Sequence, residues 1–353
     1  MSTYHENLKN QETLRLRELQ KELPSFLGEF FRGIAQTTST KTRLGYAYDL
    51  RIFFRYLYEE HRTLGGIASS KLVVENLNEI LSEDIDCFME YLSYYIRPDY
   101  EHPENSAELH NDEKGKSRKL AAIRSMFKFF YKKKKIHANP ATIVDTPKIH
   151  NKQIIRLDVN EMADFLDAVE SGEKLTNHQK AFHERAKKRD LAITTLLLGT
   201  GMRVSECVGI NIKDIDFKNN AIKVVRKGGS MVFLYFSEEV QEALEDYLVE
   251  RQNAITKEEN EDALFLSSQG KRIDVRTVQK LVKKYAFGVT VKKISPHKLR
   301  STFGTNLYQE TGDIYLVADA LGHADVNTTK KHYAEIEDQK RRKAASYIKL
   351  RKD

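Results

Sequence analysis

The chain has 353 residues, 40% hydrophobic and 31% charged, which is enough apolar side chain for a sizeable core, excludes a disordered polymer and favours two domains over one. A formal charge of +7, from 58 Lys and Arg against 51 Asp and Glu, favours a polyanionic partner such as nucleic acid. Cys87 and Cys207 are too few for a disulfide framework or a thiolate metal site, and no apolar run nears the roughly 20 residues of a spanning helix, so a soluble protein of a reducing cytoplasm is expected.

Each cysteine is expected to be a small buried apolar residue, and residues 1–9 lack a signal-peptide pattern. Leucine and phenylalanine recur at helical spacing over residues 12–34, with Pro24 starting or kinking a turn. After a polar break at 36–41 a longer helix runs to His61, with Tyr46, Leu50, Phe53, Phe54 and Leu57 on its apolar face. Its Lys41, Arg43, Arg51 and Arg55 serve equally well as a solvated face or as phosphate contacts. Another capped helix starts at Ser82, with Asp84 and Asp86 near its positive end, and runs to about Ile96. Two prolines and many polar groups make residues 97–111 a loop.

Helical periodicity returns over 114–136 through Leu120, Ile123, Phe127 and Phe130. This helix carries Lys116, Arg118, Lys119, Arg124 and Lys128 and ends in Lys132, Lys133, Lys134 and Lys135. Charge runs usually end soluble helices, yet four consecutive lysines repel one another unless a counter-anion gathers them. Asn139-Pro140 closes this bundle, and the polar, aperiodic stretch 147–154 is the expected linker. Residues 1–146 thus read as one all-helical domain and 155–353 as a second.

The second domain opens with a helix near 160–169 and a charged segment over 173–188. Residues 190–198 are almost continuously apolar, as in a central helix, and Gly199-Thr200-Gly201 interrupts them before Met202-Arg203-Val204-Ser205-Glu206. Arg203 and Glu206, three apart, share a face: an ordinary intrahelical ion pair, or an arginine aimed at a ligand and braced by a carboxylate. Between 212 and 236 the period changes to two, giving strands at 214–217, 221–226 and 231–236 with turns at Asn219-Asn220 and Gly228-Gly229. Lys227 stands at the second turn.

Ser237 caps a further helix, 274–285 is helical, and Ser295-Pro296-His297-Lys298-Leu299-Arg300 opens another, with Pro296 suited to its first position. The stretch 312–336 reads as helix, turn, helix. Asp313 caps the first helix, Gly322 permits a left-handed exit, His323 sits in the turn, and Asn327 caps the second helix, which carries Tyr333 beside Lys330, Lys331 and His332. A phenol among positive groups suits attack on an anion. A weak apolar stripe of Ala344, Ala345, Tyr347, Ile348 and Leu350 ends the chain.

Taken together, Arg203 in Thr-Gly-Met-Arg-Val-Ser-Glu, Lys227 in a hairpin, His297-Lys-Leu-Arg300, Leu-Gly-His323 and Tyr333 resemble, in order and spacing, the catalytic set of the tyrosine recombinase (integrase) family. The likeness covers about residues 155–340. Length, the lack of an obvious extra arm-binding domain, and the polar insertion before Arg189-Asp190-Leu191 are most like the Xer branch, in its single-recombinase type of some Gram-positive bacteria. Two positions depart from the family pattern: Ser301 stands where many members have a second histidine, and Ala-Glu follows Tyr333 in place of Thr-His.

The resemblance implies a mainly α, two-domain protein, with a helical-bundle core-binding domain ahead of a mixed α catalytic domain holding a small three-stranded antiparallel sheet. It implies a site-specific recombinase in which Tyr333 forms a 3′-phosphotyrosine, Arg203 and Arg300 hold the phosphate, and His323 hydrogen-bonds it. Lys227 would protonate the leaving 5′ oxygen, His297 would assist at the tyrosine, and Glu206 would orient the network. No ATP, metal or other cofactor enters. The expected partner is a double-stranded recombination site, bound by two protomers and synapsed as a tetramer through a Holliday junction. The last segment would dock on a neighbouring protomer, and Lys41, Arg43, Lys116, Arg118, Lys119 and Lys132 to Lys135 would contact DNA. The expected role is chromosome dimer resolution. The alternatives are an integrase or excisionase of a phage or mobile element, a type IB topoisomerase, which shares the tyrosine chemistry, and a DNA-binding regulator without activity. A zinc site from His297, His323 and His332 lacks the carboxylate or thiolate spacing of a metal enzyme.

Overall fold

Helices supply nearly all the regular structure of the computed structural model, which describes residues 4–97, 106–149, 155–226, 229–256, 262–323 and 325–327. The chain divides into two units, 1–151 and 152–353.

The first unit is a helical bundle: α1 (Tyr4–Lys21), α2 (Leu27–Gly33), α3 (Thr40–Glu60), α4 (Ser82–Tyr91) and α5 (Glu113–Lys132). Pro24 separates α1 from α2, and Ser39 and Asp112 cap α3 and α5 by accepting from the Thr42 and Gly115 N–H groups. The interior is built of leucine and phenylalanine. Phe30, Phe53, Phe54, Phe88, Phe127 and Phe130 are fully buried, with Phe53 and Phe88 edge to face at 5.1 Å.

Three expectations for this unit change. The loop over 97–111 contains a ribbon, in which β1 (Tyr95–Arg97) pairs antiparallel with β2 (Ala107–Leu109), so α4 stops at Tyr91 and does not reach Ile96. The cap of α4 is made by Asp84, which accepts from the Leu81 N–H at 2.7 Å, so the acidic residue near the positive end does the capping and the serine does not. Cys87 is exposed, because α4 turns Ile85, Phe88 and Met89 inward, whereas Cys207 is buried, and burial pushes its thiol up to about 12.

In the second unit α8 (Lys187–Thr200) is buried on every side by α6 (Val159–Ser171), α10 (Glu238–Gln252) and α12 (Pro296–Thr311), which is why its sequence lacks an amphipathic period. The charged segment before it contains a helix not foreseen from the sequence, α7 (Asn177–His183), which Thr176 and Gln179 start by reciprocal capping. A short α9 (Val204–Cys207) leads to the sheet β3 (Ile215–Asp216), β4 (Ala221–Val225) and β5 (Met231–Tyr235), antiparallel in that order. α11 (Val275–Ala286) and α13 (Ile314–Leu321) complete the unit. No helix among the described residues is long and apolar enough to cross a membrane.

Asp49 on α3 is 1% exposed, with Arg118 Nη2 2.7 Å from its Oδ1 but off the line of a good hydrogen bond. Burial raises its carboxyl from 3.8 to about 6, against the lowering pull of Arg118 and Lys119. A raised folded pKa means that the native state binds the proton more tightly. Its contribution to stability is full below about pH 4 and lost as pH rises through about 6. Asp49→Asn should therefore remove a fall in melting temperature between pH 4 and 6.5, worth at most about 1.4 kcal/mol per pH unit. Parallel pH profiles for the two proteins would contradict this.

Candidate active site

α8 ends at Gly201 because the chain turns left-handed there, with φ 62°, and a side chain on this residue would overlap the Phe303 ring. The turn delivers Arg203 to the position just before α9. Glu206, 5% exposed, accepts the Arg203 backbone N–H on Oε2 at 2.7 Å and Arg203 Nη1 on Oε1 at 2.8 Å. One carboxylate thus caps the helix and braces the guanidinium.

Pro296 opens α12, with His297 exposed on its first turn and Arg300 buried at 5% exposure. Arg300 Nη1 donates to the Gly201 carbonyl at 2.6 Å and Nη2 donates to the Leu321 carbonyl. Arg203 Nη2 donates to the next carbonyl, Gly322, at 3.2 Å. Two guanidiniums from separate elements therefore meet at one place, the end of α13. A helix's last carbonyls carry a negative partial charge and lack onward helical donors, which offsets the cost of burying a cation.

Asp313 starts α13 by accepting from the Tyr315 and Leu316 N–H groups, and Gly322, φ 60°, ends it, as the sequence suggests. His323 follows, half-buried, its N–H donated to the Ala318 carbonyl at 2.9 Å. Beyond it Asp325 Oδ1 accepts from the Asn327 N–H at 2.9 Å, and the body of the helix expected to be capped by Asn327 lies outside the described residues. Lys227, Lys330, Lys331, His332 and Tyr333 lie outside the described residues. Among the described residues no group of three or more His, Cys, Asp or Glu is arranged to hold a metal ion.

A third guanidinium reaches the same helix end. Arg226, following β4, donates from Nη2 to the Ala320 carbonyl at 3.1 Å. Sequence reasoning passed over it in favour of its neighbour Lys227, since one arginine at a strand end has no periodic signature. Nothing in the sequence singles it out: Lys223 already breaks the apolar run, and Lys227 stands between Arg226 and Gly228-Gly229.

Beneath α8 lies a buried polar network. Asp190 Oδ1 accepts from Arg189 Nη2 at 2.7 Å, and its Oδ2 accepts from the Tyr285 hydroxyl at 2.8 Å and from Lys284 Nζ at 3.3 Å. His183 Nδ1 lies 2.9 Å from the same hydroxyl. Burial, then the Asp190 charge, holds the Tyr285 phenol well above its ordinary value, so it remains a proton donor. These bonds tie the start of α8 to α7 and α11, and so fix the helix whose far end presents Arg203.

The basic residues of the first unit divide. Lys119 is 4% exposed and donates to Asn111 Oδ1 at 2.6 Å, which removes it from the accessible surface; the expectation that it contacts DNA is corrected on that ground. Arg118 is committed to Asp49, Lys116 donates to Ser93 Oγ at 2.6 Å, Lys135 pairs with Glu29, and Arg43 bonds Thr40 within its own helix. Lys41, Lys132, Lys133 and Lys134 are exposed. Of the lysine run, Lys135 has a counter-anion in the carboxylate of Glu29, and the run lies at the C-terminal end of α5, where the helix dipole favours cations.

Residues 156–340 match the model of the phage integrase family. The chain is 32% identical over 347 residues to tyrosine recombinase XerC of Caldanaerobacter subterraneus subsp. tengcongensis, covering 95% of this chain and 90% of that one. It is 29% identical over 358 residues to tyrosine recombinase XerS of Streptococcus thermophilus, covering 93% and 96%. Its fold is similar to that of the XerH site-specific recombinase in a post-cleavage complex with a palindromic difH substrate, with a TM-score of 0.63 at 21% identity over 95% of this chain and 88% of that one.

The double role of Glu206 has a measurable consequence. Glu206→Ala deprives α9 of its cap and Arg203 of its brace, and should lower the urea unfolding free energy by about 1–3 kcal/mol, whereas Glu206→Gln, which keeps an acceptor for the Arg203 N–H, should lose less than half as much. Equal losses in the two variants would show that the cap contributes nothing.

Proposed function

The chain belongs to the phage integrase family and is an enzyme of the tyrosine recombinase type, and from this premise we propose that it cuts and rejoins double-stranded DNA at specific sites with Tyr333 as nucleophile. The observation that carries the reading is the convergence of Arg203 and Arg300 on successive carbonyls beside His323. A phosphodiester resists attack because its nonbridging oxygens are anionic and its alkoxide leaves poorly. Two planar guanidiniums can bond both nonbridging oxygens as the pentacoordinate transition state forms, with His323 as a further donor.

The Tyr333 oxygen forms a bond to phosphorus as the bond from phosphorus to the 5′ oxygen breaks. The phenolic proton passes towards His297, exposed at the start of α12, and the Lys227 ammonium gives a proton to the departing 5′ oxygen. Glu206 holds Arg203 through the cycle. The 3′-phosphotyrosyl ester conserves the bond energy, so a 5′-hydroxyl from a second strand can reverse the step onto a new partner without ATP. Two sites, each held by two protomers, then exchange strands one pair at a time through a Holliday junction. The first unit is the core DNA-binding domain, with Lys41, Lys132, Lys133 and Lys134 at phosphates. Resolution of chromosome dimers is the role that the likeness to Xer recombinases supports.

A nicked suicide substrate tests the chemistry: the wild type should accumulate a covalent protein–DNA adduct and Tyr333→Phe none, while Arg203→Ala and Arg300→Ala should each lose about 10³- to 10⁵-fold in cleavage rate. An adduct persisting in Tyr333→Phe sinks the assignment. On plasmids, relaxation without any special site and without exchange would favour a type IB topoisomerase. Replacing Lys132, Lys133 and Lys134 by alanine should reduce the salt slope of DNA binding by about 2 to 3, near 0.9 per lost phosphate contact. An unchanged slope would make them solvent-facing only.

A further inference from the structure

Arg226 closes the hairpin between β4 and β5. Its N–H donates to the Ser230 carbonyl at 2.8 Å and its carbonyl accepts from the Gly229 N–H at 3.0 Å. Its side chain leaves the hairpin for the end of α13, where Nη2 donates to the Ala320 carbonyl at 3.1 Å and to that of Asp319 at 3.4 Å, with Nη1 3.5 Å from the latter. The fit is close. A Cβ on Gly322 would overlap this guanidinium, so the residue that permits the left-handed exit of α13 also leaves the room Arg226 occupies. The next two carbonyls, Leu321 and Gly322, are those taken by Arg300 and Arg203.

From this geometry we infer that Arg226 is a positioning residue: it fastens the β4–β5 turn, in which Lys227 is the next residue along the chain, to the helix end where the two phosphate-holding arginines converge. The inference rests on the reading of Lys227 as proton donor. A lysine on a free hairpin turn must give up chain entropy each time it delivers its proton. Anchoring the adjacent residue removes part of that cost. The planar fork matters because it reaches two carbonyls at once, which an ammonium on a flexible stem does less well.

The test uses the full chain and two nicked suicide substrates, one ordinary and one with sulfur in place of the 5′ bridging oxygen. Sulfur departs as a thiolate and needs no proton, so a defect in proton delivery vanishes on it while a defect in folding or phosphate binding does not. Arg226→Ala should cleave the ordinary substrate about 10²-fold more slowly than the wild type and the sulfur substrate less than about tenfold more slowly, with Arg226→Lys between and Lys227→Ala following the same pattern. Melting temperatures establish that each variant is folded, and Arg226→Lys carries the comparison if the alanine variant is not. Equal losses for the Arg226 variants on both substrates, or no loss on either, overturn the inference while recovery of Lys227→Ala leaves the proton-donor assignment standing. If Lys227→Ala fails to recover on sulfur, that assignment falls and the inference falls with it.

Discussion

The second unit depends on how the last turn of α13 is completed. Its carbonyls at residues 319–322 are met by Arg226, Arg300 and Arg203, which come from the sheet, from α12 and from the turn after α8. Gathering three like charges is unfavourable unless oxygen acceptors sit between them. The helix supplies these as fixed partial charges and Glu206 supplies a full one. Guanidinium is the group for this, because it stays protonated when buried and spreads its charge over several N–H donors, where a buried lysine would tend to discharge.

In the proposed reaction the same arrangement is a rigid frame that a phosphate would enter without reorganising its donors. Arg300 is buried and bonded at both ends to main chain, Arg203 is held by its own helix cap, and α8 is fixed at its start by Asp190. Preorganised donors of this kind stabilise developing charge better than water does, because water must reorient as the charge grows. On the proposed function, the burial of Arg300 and Glu206 is a cost in stability taken at the place where the phosphate would be held.

What could be read in the sequence follows from how local each signal is. Asp313, Gly322, Pro296 and the three strands of the small sheet are set by interactions within a few residues, and all stand where their patterns place them. α8 was legible from its almost continuously apolar run, because a helix buried all round has no other signature. The ribbon of β1 and β2 was not, since three-residue strands are too short to show alternation and the prolines between them read as loop. Lys119 and Arg226 fail for a related reason: the carboxamide and the helix end that receive them come from 8 and 94 positions away, and no spacing rule connects such pairs.

Lys119 also shows why counting charges overstates an electrostatic surface. On the helix that carries most of the candidate phosphate contacts, Arg118 faces a buried aspartate, Lys119 is itself buried, and Lys135 is matched by a glutamate. An ammonium already satisfied inside the protein releases no counterion when DNA arrives, because exchanging one carboxylate for a phosphate leaves the number of bound small ions unchanged. The residues that can contribute to a salt-dependent affinity are those whose charge is still balanced by solvent. In this unit the sequence concentrates three of them where α5 ends, at a carbonyl-rich helix terminus that tolerates crowded cations while leaving their heads exposed.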